Sequence, residues 1–214
     1  PVTPQIVKAP VAGRWLALNS PASHVPSHGV RAYGQAFAID LVYEPAHGTR
    51  PQFGGPSMRD STEYPAFGQA VFAMFDGTVV KASDSKRDHR ARSNWFDYFY
   101  LLVEGMLREI GGPGFIVGNH VTIRSDDGVY GLVAHLQRGS VEVTVGERVT
   151  AGQQIGRCGN SGNSSEPHVH AQLMDRESLW VAQGIPMEFS EISLDDEQPP
   201  VNGLPKNGEH LIVA

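Results

Sequence analysis

A single cysteine, Cys158, excludes an intrachain disulfide. Alone in Arg157-Cys158-Gly159, it fits a small buried residue better than a nucleophile. Long hydrophobic runs are missing as well. Leu101 to Val103 falls far short of the roughly 18 apolar residues that a membrane span needs, so no span is expected. Positive charge is scarce: 17 Lys and Arg face 23 Asp and Glu, a net charge of -6. Without a basic stripe to neutralise phosphates, nucleic acid is not an expected partner. The one dense basic run, Lys81 to Arg92, is broken by Asp84 and Asp88 and reads as a solvated loop. No signal-peptide pattern and no fixed-period repeat is visible.

Glycine and proline, by contrast, are plentiful, at 24 and 15 residues. That balance favours short strands and many turns over a helical bundle. The chain of 214 residues suffices for one well-buried core, and no linker divides it. An edge strand at Pro4 to Val7, a turn at Ala9-Pro10 and a strand from Val11 to Leu18 are expected. Ala36 to Tyr43 is a mostly apolar strand. Residues 44–69 form a long Gly- and Pro-rich loop, of a kind that is usually functional. Asp76-Gly77 between apolar runs signals a hairpin. Asn94 caps one helix, which Gly111-Gly112-Pro113 ends. Its aromatic residues Trp95, Phe96, Tyr98, Phe99 and Tyr100 either pack on the sheet or an adjacent protomer, or line a groove. From Phe115 the pattern is all β: a strand or two to Arg124, a turn at Asp126-Asp127-Gly128, a returning strand from Val129 to Gln137, then short strands with glycine corners to Gly156. After Leu173 the chain reads as polar, irregular wrapping over 176–214, with an acidic, Pro-containing cluster from Glu191 to Pro200. The expected fold is mainly β, an antiparallel sandwich or open barrel, with one helix around 94–110 and long loops.

Chemistry concentrates in histidine. In His168-Val169-His170, two imidazoles one residue apart share a strand face, roughly 7 Å apart. A Gly- and Ser-rich run, Gly159 to Ser165, leads into them as a tight loop would. Asp40 is a lone acid inside an apolar strand and needs a partner: a metal ion, an arginine or backbone amides. His135 sits in the apolar Val133-Ala134-His135-Leu136. Two histidines and a carboxylate with an open fourth position make a catalytic zinc set.

Several stretches together resemble a known family. They are Val129 to Leu136, Gly139-Ser140-Val141, Val145 to Gly156, Gly159-Asn160-Ser161-Gly162 and Pro167-His168-Val169-His170. In that order they are similar to the lysostaphin/LytM-type zinc metallopeptidases, peptidase family M23. Asp76 to Val80 and Phe37 to Asp40 extend the likeness more weakly. The resemblance implies a LytM-type β fold as one domain over 1–214, with a core at about 28–43 and 68–175 and a helical insertion at about 83–113. It implies one Zn2+ ion held by Asp40 and His170, with His135 and His168 as the two non-ligand histidines of the reaction. It implies a peptide or peptidoglycan substrate and a secreted or cell-envelope setting. One position departs: the family's first histidine ligand, four residues before the aspartate, is Ala36 here. His28 or His24 must then complete the metal set, and His28, eleven residues of loop from Asp40, is favoured. Without such a substitute the chain would be an inactive scaffold or a peptidoglycan-binding module. A lipoyl- or biotin-carrier reading of the Val145 to Gly156 rhythm fails, because no lysine lies between Lys86 and Lys206 to be modified.

Overall fold

The computed structural model describes residues 3–195 and 199–214. Part of the acidic Glu191 to Pro200 cluster, residues 196–198, lies outside the described residues. The fold is mainly β. Its strands are β1 (Gln5–Val7), β2 (Gly13–Leu18), β3 (Ile39–Tyr43), β4 (Ala70–Phe72), β5 (Gly77–Ser83), β6 (Asn119–Ser125), β7 (Tyr130–Leu136), β8 (Arg148–Val149), β9 (Gln154–Arg157), β10 (Val169–Met174), β11 (Gly184–Ile185), β12 (Met187–Leu194), β13 (Val201–Gly203) and β14 (His210–Val213). The helices are α1 (Trp95–Ile110) and the short α2 (Pro113–Val117). One large open sheet runs β1-β12-β14-β2-β3-β10-β7-β6-β5-β8, and β4 pairs with β9 in a second, two-stranded sheet. Pairing is antiparallel except between β1 and β12, which makes the sheet mixed.

Three neighbouring strands, β3, β10 and β7, form the middle of the sheet, and every residue of β10 is buried. Their period-2 alternation sorts chemistry from packing. Ile39, Leu41, Val133, Val169, Ala171 and Leu173 join the main hydrophobic core. The alternating residues Asp40, His170, Gln172 and Met174 point to the other face.

Four expectations need correction. Asp76-Gly77 ends a bend and opens β5 but makes no hairpin: β4 pairs with β9, and β5 pairs with β6 and β8. Gly77 serves close approach instead, since a Cβ there would lie 2.4 Å from the Arg124 carbonyl oxygen. Phe115 to Val117 is helical, not strand, because Pro113 preorganises the first turn of α2. The segment after Leu173 is not irregular: β12 and β14 extend the main sheet, burying Met187, Phe189, Ile192 and Leu211 in its core. The basic run before the helix is not wholly solvated, since Arg92 is buried and paired with Glu104 at 2.6 Å.

The helix forms where Asn94 and the closing glycines place it. The Asn94 side chain accepts the Asp97 N–H, a good N-cap. Only Asp97, Leu101 and Gly105 on α1 are buried, a stripe at i, i+4, i+8. Polar ties do the rest. Asp97 accepts bonds from Ser57 and from the Met58 and Ser93 N–H groups, and Arg108 donates to Gly162 O and His89.

Candidate metal centre and catalytic cleft

Asp40 is the second residue of β3, directly opposite His170 on β10. Its Oδ1 accepts from His170 Nδ1 at 2.9 Å and lies 3.6 Å from His168 Nε2. Its Oδ2 is 3.0 Å from His28 Nε2 and accepts from Asn19 Nδ2 at 2.8 Å. Donor atoms of His28, Asp40 and His170 all lie within 4.8 Å of one another. His24, the other candidate, is exposed and outside this group.

His28 reaches Asp40 because its loop is pinned at the base. The Ser27 N–H donates to Ala36 O at 3.0 Å, and Ser27 Oγ donates to Gln35 O at 3.2 Å. Residues 28–35 therefore bulge out and return, leaving His28 beside the Ala36 backbone. Ala36 itself is buried.

His135 arrives by a different device. Asn119 faces Leu136 and His120 faces Ala134, so β7 carries one extra residue between two pairs. That residue is His135, with φ of 61°, in the left-handed region. A bulge of this kind re-aims a side chain. Leu136 returns to the main core, and His135 stays on the face of Ala134 and Asp40. A non-glycine residue held there carries strain of about 1–3 kcal/mol, which the surroundings must hold in place.

His135 and His168 are both fixed by carbonyls. His135 Nδ1 donates to Ser161 O at 2.8 Å, and His168 Nδ1 donates to Glu166 O at 2.8 Å, with Ser164 Oγ at 3.0 Å. Each Nδ1 must therefore carry a proton, so the neutral form of either ring has its lone pair at Nε2. The two rings lie 4.7 Å apart, centroid to centroid.

Electrostatics sharpen the site. Burial pushes the Asp40 carboxyl up, but the His28 and His168 charges and the bonds from His170 and His28 outweigh it, holding it well below the usual carboxylate range. Burial, with His168 and His170 nearby, holds His135 well below the usual imidazole value, and so neutral. For His170 burial acts downward, yet the Asp40 carboxylate and Gln172 raise it.

The donor set fits a metal ion. Each ligand candidate has an outer hydrogen-bond partner that orients it. His28 Nδ1 faces Ser27 Oγ at 3.0 Å, His170 Nε2 donates to Gln172 Oε1 at 2.8 Å, and Asp40 Oδ2 accepts from Asn19. Gln172 is held in turn by donating to Tyr33 O. Asn19, Ser27 and Gln172 have no part in the sequence-based expectation. Gln172 continues the 168/170 alternation and so carries a local signal; Asn19 reaches Asp40 from 21 residues away, and Ser27, next to His28, looks like any loop serine.

A cleft of about 490 Å³ opens over these groups. Asn19, Gln35 and Gln172 line one part, and Tyr98, Leu101, Leu102, Met106, Ile116 and Val117 another. The Gly159 to Ser165 loop contributes Asn163 and Ser165 to its lining, while the long loop over 44–69 contributes none. That loop instead props the helix through Ser57 and Met58 and binds Glu166 through Arg50. The helix takes the wall.

Residues 102–181 match the model of peptidase family M23. This stretch belongs to that family. It contains His135, His168 and His170, whereas His28 and Asp40 lie before it. Over 74 residues the chain is 39% identical to the glycyl-glycine endopeptidase ALE-1 of Staphylococcus capitis, covering 34% of this chain and 20% of that protein. Over 96 residues it is 36% identical to endolysin 2638A of Staphylococcus phage 2638A, covering 40% and 19%. The chain thus spans about a fifth of the length of these curated relatives. The catalytic domain of lysostaphin from Staphylococcus simulans aligns with a TM-score of 0.40 at 22% identity, over 69% of this chain and 73% of that one. Among the described residues no helix is long and apolar enough to cross a membrane.

Proposed function

We propose that this chain is a zinc-dependent endopeptidase of the M23 type that hydrolyses peptide bonds of bacterial peptidoglycan. One observation carries the reading: a buried aspartate flanked by two histidines, with two further histidines whose Nε2 atoms are left as proton acceptors. The chain's similarity to a glycyl-glycine endopeptidase and to an endolysin supports the wall as target.

His28, Asp40 and His170 would hold the ion. When bound, zinc would lower the pKa of water toward about 7 and polarise the scissile carbonyl. His168 Nε2 takes a proton from the attacking water as its hydroxyl oxygen bonds to the carbonyl carbon. His135 Nε2, on the other side, is positioned to share that work. The protonated imidazole returns the proton to the leaving nitrogen as the C–N bond breaks, so each turnover adds one water across the peptide. The carbonyls of Ser161 and Glu166 stabilise the imidazolium by keeping their Nδ1–H bonds. Neutral His135 at the working pH suits an acceptor.

Metal content and hydrolysis test this together. Wild-type chain is expected to hold one zinc and to release new amino groups from purified peptidoglycan. His28→Ala should lose zinc and activity, and His24→Ala should keep both. Zinc retained by His28→Ala and lost by His24→Ala would overturn the ligand assignment. Stoichiometric zinc without amino-group release would overturn the hydrolytic reading and leave a scaffold.

A further inference from the structure

We infer that α1 is the specificity-determining wall of the cleft, and that Leu102 and Met106 select an extended peptide with apolar side chains at alternate positions over oligoglycine. The inference rests on the peptidase reading and names its substrate class.

Tyr98, Leu102, Met106 and Glu109 all line the cleft that holds His135 and His168. They fall at i, i+4, i+8 and i+11, one stripe of the helix. Residues three turns apart line the same cleft, so the helix axis runs along it. Leu102 and Met106 are 52% and 68% exposed, and neither is covered by the protein. Four helical residues advance about 6 Å, close to the roughly 6.6 Å between alternate residues of an extended chain. Two side chains on one face of the peptide can therefore rest on the two helix side chains in register. Oligoglycine has nothing to place there and gains nothing from the wall.

The wall is also rigidly placed relative to the reacting groups. Gly105 is buried against Asn163, where a Cβ would lie 3.2 Å from the side-chain amide. Arg108 donates to Gly162 O, and in the same loop Ser161, just before it, and Ser164, two residues after it, fix His135 and His168. One loop thus sets both the helix and the histidines. This continuity with the cleft is what assigns the stripe to substrate. Phe96, Leu107 and Ile110 are also exposed but turn away from the cleft and are not among its lining.

The test compares hexaglycine with a hexapeptide carrying leucine at alternate positions, on zinc-loaded protein, by kcat/KM and by fluorescence-detected binding. Wild type is expected to favour the leucine peptide by about 10-fold or more, within the range one apolar group supplies in a pocket. The double substitution Leu102→Ser with Met106→Ser should bring the ratio close to one, mainly through KM. Phe96→Ser, off the cleft, should keep the wild-type ratio. A wild-type ratio at or below one, or a double variant that keeps the preference, overturns the inference. If neither peptide is cut, binding decides: leucine preference lost in the double variant upholds the wall while the peptidase reading fails, and equal binding overturns the wall too. Micromolar dimerisation abolished by the same pair, in sedimentation, would give the stripe to a second copy and overturn it.

Discussion

Gly118→Ala is a demanding test of how the loop, the helix and the histidines are joined. Gly118 follows α2 with φ of 66° and ψ of -143°, a combination open to glycine and almost no other residue. A Cβ there would sit 2.5 Å from the Ser161 carbonyl carbon, 2.6 Å from its oxygen and 2.7 Å from Gly162 N. These are backbone atoms and cannot swing aside. The approach is mutual, since a Cβ on Gly162 would lie 2.5 Å from both Gly118 N and Ile116 O. The φ/ψ penalty is about 1–3 kcal/mol, and forced overpacking adds about 1–3 kcal/mol. Together these give about 2–6 kcal/mol, or roughly 4–24 °C in Tm at 2–4 °C per kcal/mol for a chain this size. The atom displaced is the one that matters chemically: Ser161 O accepts the Nδ1–H of His135. Activity per folded molecule should therefore fall, with kcat affected more than KM. Urea and thermal unfolding measure the first effect, and peptide hydrolysis normalised to folded protein the second. Gly114→Ala is the internal control: it lies in α2 with open space around its Cβ and should be neutral or stabilising by up to about 1 kcal/mol. Gly118→Ala within about 0.5 kcal/mol of wild type would refute the reasoning, because ordinary surface changes fall in that range.

Removing Gln172 tests the support of the metal set. Gln172→Ala deletes the acceptor of His170 Nε2–H and is expected to weaken zinc binding by about 10- to 100-fold; unchanged affinity in chelator competition would count against His170 as an Nδ1 ligand. His89 supplies a pH test away from the cleft. Burial first, then the Arg108 charge, lowers its pKa to about 4. The unfolded chain takes up that proton near pH 6.5, so stability is full above 6.5 and is lost as pH falls toward 4. His89 is half-buried, and after discounting for solvent the loss is about 1–2 kcal/mol. His89→Gln keeps an acceptor for Arg108 and should flatten stability between pH 6.5 and 4; an unchanged slope in unfolding titrations would sink the assignment.

Much of the β architecture was readable because its signals are local. Alternation across His168, His170 and Gln172, and across Ile39, Asp40 and Leu41, tells which side chains share a face. The Asn94 cap and the closing glycines bracket the helix almost to the residue. What was not readable depends on contacts between distant residues. Asp76-Gly77 carries hairpin chemistry, but the neighbours that claim β4 and β5 come from residues 154–157 and 119–125. The bulge at His135 has no sequence mark at all. Strict alternation would put His135 on the face of Val133, inside the core; one extra residue in β7 reverses that.

The same contrast explains the helix. Its sequence is amphipathic, yet the greasy side is not the buried side. Trp95, Phe96, Phe99, Met106, Leu107 and Ile110 are exposed, while the contact stripe is Asp97, Leu101 and Gly105. Pattern reading assumes that apolar faces point inward, which holds when packing alone places a helix. Here placement comes from charged anchors: Asp97 to Met58 and Ser93, Glu104 to Arg92, and Arg108 to Gly162. Those partners are up to 54 residues away. Charge thus does the holding, and Leu102 and Met106 are left free along a cleft floored by four histidines and Asp40. A helix anchored by its polar side is one whose apolar side has work to do.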